Sequence, residues 1–151
     1  MPLMVRHSSL LFWENPFWWQ WLGSAGEIFL VLFTLPERLN TLAMQQPKLV
    51  YDTLFAASWQ TLAAFGKQQG VQLGMIAILH SWGQNLSLQP HLHCVALSRG
   101  ARSCGSWQPV RKDGKFLFLV KTLGQVFRAK YVAALRAAKI TDQKLFDALF
   151  A

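Results

Sequence analysis

The stretch QPHLHCVAL, residues 89–97, holds His91 and His93 one residue apart in an otherwise apolar run. In a β-strand, side chains at i and i+2 share a face, so these two imidazoles project together. Their Cα atoms stand about 7 Å apart, close enough for both rings to lean onto one divalent ion. Leu92, Cys94 and Ala96 take the opposite, core-facing side. Two ligands do not complete a coordination shell, so a third must come from elsewhere in the chain. His80 and Gln84, at the far end of the expected hairpin, are the nearest candidates. Imidazole is the stronger donor, while an amide carbonyl oxygen suits Mg²⁺ or Mn²⁺. A structural zinc site does not fit, because Cys94 points away from the histidine face. Taken alone, the His-x-His spacing also fits two hydrogen-bonded histidines at a sheet edge.

Several elements must position these residues. The run IFLVLFTL, Ile28 to Leu35, is continuous and β-type and ends at Pro36, which reads as a buried central strand. Pro47 opens a helix as a first-turn proline does. On that helix Tyr51, Phe55, Trp59, Leu62 and Phe65 form one apolar stripe, assigned to the core. Gly66 is expected as its C-cap, and Lys67 suits the negative end of the helix dipole. Gly74 to His80 reads as a second strand, residues 81–90 as a polar loop, and His91 to Leu97 as a third strand antiparallel to the second. Residues 98–106, SRGARSCGS, read as a basic loop. A turn at Asp113-Gly114 leads to a fourth strand, Lys115 to Val120. A helix from about Thr122 to Ala138 follows, with Leu123, Val126, Phe127, Ala134 and Leu135 on its apolar side. Thr141 is placed as the cap of a last short helix. Short loops between the central strands favour an antiparallel sheet with helices on one face, an α+β fold.

Composition narrows the function classes. The chain has 151 residues and 52% apolar side chains, enough for one domain with a real core. Its two cysteines, Cys94 and Cys104, make no CxxC pair, which fits a reduced, cytoplasmic setting. The Trp-rich head, residues 1–26, has poor periodicity and is left unassigned. Its uncharged run is shorter than the ~20 residues a membrane span needs, so no stable membrane insertion is expected. The net charge of +8 is uneven: residues 99–151 carry eleven basic and three acidic side chains, the whole of the excess. Such asymmetry suggests a polyanion, most simply nucleic acid, and a nucleoid-associated location. The candidate phosphate contacts are Arg128, Lys130 and Arg136 on the last long helix, with Arg99, Arg102, Arg111 and Lys112 in loops.

Four blocks then occur in order: VLFTLPERLN at 31–40, PKLVYDTLFAASWQTL at 47–62, LHSWGQNLSLQPHLHCV at 79–95 and FRAKYVAALRAA at 127–138. Together they resemble the central part of the rolling-circle insertion-sequence transposases, two-tyrosine members of the HUH (His-hydrophobic-His) endonuclease group. The resemblance covers about residues 28–140. It implies an antiparallel sheet backed by helices, with the block ending at Thr34-Leu35-Pro36 beside the histidine strand. It implies that His91 and His93, with a third polar ligand, bind Mg²⁺ or Mn²⁺. It also implies a reaction on single-stranded DNA at transposon ends. A tyrosine hydroxyl attacks the scissile phosphorus, forms a 5′-phosphotyrosine bond and releases a 3′-OH.

The chain departs from that pattern in two places. The group normally begins with a cysteine-rich zinc ribbon, which residues 1–26 do not match. Its nucleophilic tyrosines normally lie beyond the FRAKYVAALRAA block, whereas the chain's two tyrosines, Tyr51 and Tyr131, read as packing residues. The expectation is therefore a partial HUH catalytic domain over residues 27–140 and a truncated last helix over 141–151. It keeps the metal half of the site, with the nucleophile beyond the chain end. A non-catalytic DNA-binding remnant, or a partner that interferes with an intact transposase by co-assembly, is the alternative. A membrane-surface protein driven by the Trp-rich head is a third reading. Exposed apolar surface would also favour self-association.

Overall fold

The computed structural model describes residues 4–6, 28–83, 86–110, 120–138, 140, 143, 144 and 147. The strand expected from Ile28 forms as β2 (Ile28–Thr34), and its apolar residues alternate in environment. Phe29, Val31 and Phe33 are buried, while Ile28, Leu30 and Leu32 are half-buried. The run is thus a central strand with one fully covered face, not two. The strand before it, β1 (Met4–Arg6), pairs antiparallel with β2, so three head residues belong to the sheet. A 3₁₀ turn (Glu37–Leu39) and a short helix, α1 (Asn40–Gln45), follow β2.

Helix α2 (Pro47–Gln68) has Pro47 in its first turn, as expected. Its core face is Val50, Thr53, Leu54, Ala57, Ser58, Thr61 and Leu62, so of the expected stripe only Leu62 is fully buried. Phe55 and Trp59 stay 37% and 40% exposed, while Tyr51 and Phe65 rest partly on the core. The physical reason is size. Ala57, Ser58 and Thr61 let the helix backbone approach its neighbours closely, and Thr61 Oγ1 satisfies itself on the Ala57 carbonyl at 2.6 Å. The aromatic rings are left at the margin of that small-residue face.

The end of α2 also differs from the expected cap. Gln69 is the C-cap and Gly70 takes the left-handed conformation, φ 71°. The Val71 and Gly70 amides donate to the carbonyls of Gly66 and Lys67, which is a Schellman motif. Gly66 lies inside the last turn for another reason. A Cβ there would meet Leu73 Cγ at 2.9 Å and the Val71 carbonyl at 3.0 Å.

Strands β3 (Met75–Trp82) and β4 (Leu88–Leu97) form the antiparallel hairpin that the sequence suggests, each longer than expected. The sheet order is β1-β2-β4-β3, so the histidine strand β4 lies between β2 and β3. Two steps along β3 (His80 to Trp82) match three along β4 (His91 to Leu88), which is a β-bulge. Pro90 falls in that bulge, where its missing N–H costs no regular ladder bond. Its carbonyl accepts from the Leu35 amide at 3.1 Å and keeps β4 tied to β2.

The basic Gly/Ser loop is partly a hairpin. Arg99–Ala101 (β5) pairs with Trp107–Pro109 (β6), and Gln72 and Ala101 exchange two hydrogen bonds. The expected fourth strand lies in residues 111–119, outside the described set. Val120 at its end belongs instead to α3 (Val120–Ala137), so this helix starts earlier than expected. Ala134 of its expected apolar side is exposed. Thr141 and the Asp113-Gly114 turn are also outside the described residues.

One core joins these parts. Phe33, Leu92 and Cys94 from the sheet meet Leu42, Leu54 and Leu62 from α1 and α2 and Leu123, Phe127 and Leu135 from α3. The Phe33 and Phe127 rings, centroids 4.8 Å apart, pin α3 to the covered face. The fold is α+β, an antiparallel sheet with its described helices packed against one face.

Candidate metal centre

The histidines lie on the other face. Leu92, Cys94 and Ala96 are 0–1% exposed, and their alternates His91 and His93 point away from the core, half-buried. Burial pushes the Cys94 thiol up to about 12, and its side chain faces the core, away from the histidines. His91 stands opposite Thr34 on β2 and His80 on β3, and His93 stands opposite Leu32 and Ile78. The bulge begins only beyond the His80–His91 pair, so the triad itself sits in regular ladder.

The three imidazoles converge. Ring centroids are 4.2 Å apart for His80–His93, 5.0 Å for His91–His93 and 5.3 Å for His80–His91. One nitrogen from each lies within 4.8 Å of the others. Small side-chain rotations would bring all three to the ~2.0–2.1 Å that a nitrogen–zinc-type bond requires. His91 Nδ1 lies 2.6 Å from the Gln89 carbonyl oxygen. A carbonyl only accepts, so Nδ1 carries the proton and Nε2 keeps its lone pair for an ion. Burial first, then the neighbouring His80 and His91 rings, lowers His93 to about 4. Burial and His91 lower His80 in the same direction. At neutral pH both therefore present uncharged, ligand-competent rings, and the donor set fits a divalent transition-type ion.

Of the sequence-derived candidates, His80, His91 and His93 come together. Gln84 lies outside the described residues, as do Arg111 and Lys112. Arg128, Lys130 and Arg136 are on α3, which packs through Phe127 on the face opposite the triad. Arg99 and Arg102 follow β4 at the end away from His91. Tyr131 is 3% exposed, and its hydroxyl donates to the Val50 carbonyl at 3.3 Å; burial raises its pKa. Tyr51 is half-buried on α2 against the core. Thr34 pairs with His91, as the family resemblance implied for its strand, whereas Trp82, on the same face as the triad, was not singled out from sequence. Thr34 becomes a neighbour only through the β2–β4 pairing. Trp82 could have been found by alternation, since it stands two residues after His80.

An antiparallel sheet with helices on one side and three convergent imidazoles on the other is an HUH-endonuclease-like fold. The same architecture is found in the conjugative relaxase TrwC. Its copper-bound complex with oriT DNA superposes with a TM-score of 0.55 at 18% identity, covering 73% of this chain and 42% of that one. A TrwC complex with a 27-mer DNA comprising the recognition hairpin and the cleavage site gives the same TM-score. Residues 74–149 match the family described as "Putative transposase" (Y2_Tnp), and the chain belongs to that transposase family. A Sinorhizobium fredii relative with the same description, y4qJ, is 41% identical over 115 residues, 74% of this chain and 29% of its own length. The transposase for insertion sequence element IS801 of Pseudomonas savastanoi pv. phaseolicola is 31% identical over 78 residues, 52% of this chain and 19% of its own length. The chain thus spans less than a third of either relative. No described helix is long and apolar enough to cross a membrane.

Proposed function

We propose that this chain supplies the metal-binding half of a DNA-strand transferase acting on single-stranded DNA at transposon ends. The observation that carries the reading is the triad: His80, His91 and His93, nitrogens within 4.8 Å, on the open face of the sheet in a transposase-family chain. Mn²⁺ held there would polarise the scissile phosphate as a Lewis acid; Mg²⁺, the other ion the family resemblance implies, fits three imidazoles less well. The residues' own roles are to hold and to orient. The Gln89 carbonyl fixes the His91 tautomer, and the His80–His93 stack fixes the two remaining rings. The attacking group would be a tyrosine hydroxyl, forming a P–O bond to the 5′ side while the P–O3′ bond breaks and the 3′ oxygen leaves as a hydroxyl. Tyr131 is buried and Tyr51 rests on the core, so neither is placed for this. The basic last third provides phosphate contacts through Arg99, Arg102, Arg111, Lys112, Arg128, Lys130 and Arg136.

The placement of the two tyrosines favours one second reading, a non-catalytic DNA-binding or co-assembling protein. The two readings part on the histidines. Calorimetric titration of Mn²⁺ should give one ion per chain for the parent and none for His91→Ala/His93→Ala. His80→Ala should weaken binding at least tenfold if His80, and not Gln84, is the third ligand. Single-strand DNA affinity that is unchanged in the double variant, together with no Mn²⁺ binding by the parent, would leave only the second reading.

A further inference from the structure

The row of residues on the open face of β3 is Ile76, Ile78, His80 and Trp82, all exposed. Trp82 is 60% exposed although it is the largest side chain on that face. It follows His80 by two residues, so its Cα stands about 7 Å along the strand from that of the triad's edge ligand. Toward the hairpin tip its neighbours are Gly83 and Ser87, whose backbones hydrogen-bond at 2.8 Å. The three main strands of this sheet, residues 28–34, 75–82 and 88–97, contain no Asp, Glu, Lys or Arg. A phosphate at the triad therefore meets no carboxylate on its own sheet, and the group next to it meets an open aromatic plane.

We propose that Trp82 is a base-stacking platform: a single strand with one phosphate at the histidine triad lays an adjacent base on the Trp82 indole. This deepens the proposed function and rests on it. Base–aromatic stacking tolerates any sequence because every base has a π face, and it places the backbone without reading it. A protein partner is the competing occupant. It suits the site less well, because an apolar interface wants a continuous patch, and polar His80 interrupts this one between Ile78 and Trp82. Trp82 would thus be a positioning residue, setting which phosphate of the strand rests at the ion.

The test uses the full 151-residue chain with Mn²⁺ and a labelled single-stranded oligonucleotide, read by fluorescence anisotropy. Each position of the oligonucleotide is replaced in turn by an abasic site. The parent should lose about tenfold in affinity at one position, at the low end of base stacking. Trp82→Ala should bind the intact strand about tenfold more weakly and be indifferent to that abasic position. Trp82→Phe should keep a reduced penalty there. Mn²⁺ binding, measured separately, should be unchanged in both variants. If Trp82→Ala loses Mn²⁺ binding through misfolding, Trp82→Phe decides alone, and a penalty equal to the parent's overturns the inference. Parent-like binding by Trp82→Ala, or a change in oligomeric state with DNA affinity intact, also overturns it and leaves the function standing. A parent that binds no single-stranded DNA overturns both.

Discussion

His93 is more enclosed than His80, and its proton affinity follows from that. Its pKa is lowered from 6.5 to about 4, first by burial and then by the two neighbouring rings. Between those values the unfolded chain holds a proton that the folded chain does not. Stability therefore rises with pH through that window and falls as pH drops below 6.5. His80 shifts in the same direction and adds to the slope. The melting temperature of the metal-free protein should decline from pH 7 to pH 5, and His93→Gln should flatten that decline. A pH-independent melting temperature in the parent would contradict the packing of the triad. Saturating Mn²⁺ should raise the melting temperature at pH 7 by mass action, an effect that fades in acid as protons compete for the same nitrogens.

At the scale of elements, one close approach is where α2 turns into β3. Gly66→Ala would drive a methyl group against Leu73 Cγ and the Val71 carbonyl at 2.9–3.0 Å. The expected cost is about 1–3 kcal/mol, the usual range for overpacking, read as a lower denaturation midpoint with an unchanged m-value. Gly66→Ala as stable as the parent would mean that the β3 entry gives way easily. The same region shows what could be read before the structure. The hairpin and the shared face of His91 and His93 were legible, because strand alternation has a period of two and leaves few choices. The face of α2 was not. Tyr51, Phe55 and Trp59 advertise themselves by size, whereas burial went to Ala57, Ser58 and Thr61, whose small volume allows close packing. The β5–β6 hairpin hid behind a Gly/Ser-rich composition that normally marks a loop. Thr34 reached the site through pairing with a strand far away in sequence, which no local pattern encodes and only the family resemblance implied.

Across the whole molecule, covered and open surfaces are unequal. The helices cover one face of the sheet, and on the described remainder Ile76, Ile78, Trp59, Trp107 and Met44 stay 40–71% exposed. We propose that these side chains, contiguous at Ile76 and Ile78, support weak association. Light scattering should show species heavier than the 17.1 kDa monomer, and Ile76→Thr/Ile78→Thr should shift them toward it. A monodisperse monomer for the parent would mean that these side chains stay separate in solution. The charge is arranged differently from the apolar surface. The excess of +8 lies in residues 99–151, and its α3 portion sits behind the sheet, so a strand touching both the triad and α3 must pass around a sheet edge.

The ligand set itself is compact in sequence as well as in space. All three imidazoles come from one hairpin, residues 80–93, and the bulge at Pro90 falls inside the same stretch. The candidate ion-binding unit is therefore portable. Recombination, permutation or splitting of the coding sequence anywhere outside those residues changes what the unit is attached to, while its three donors travel together.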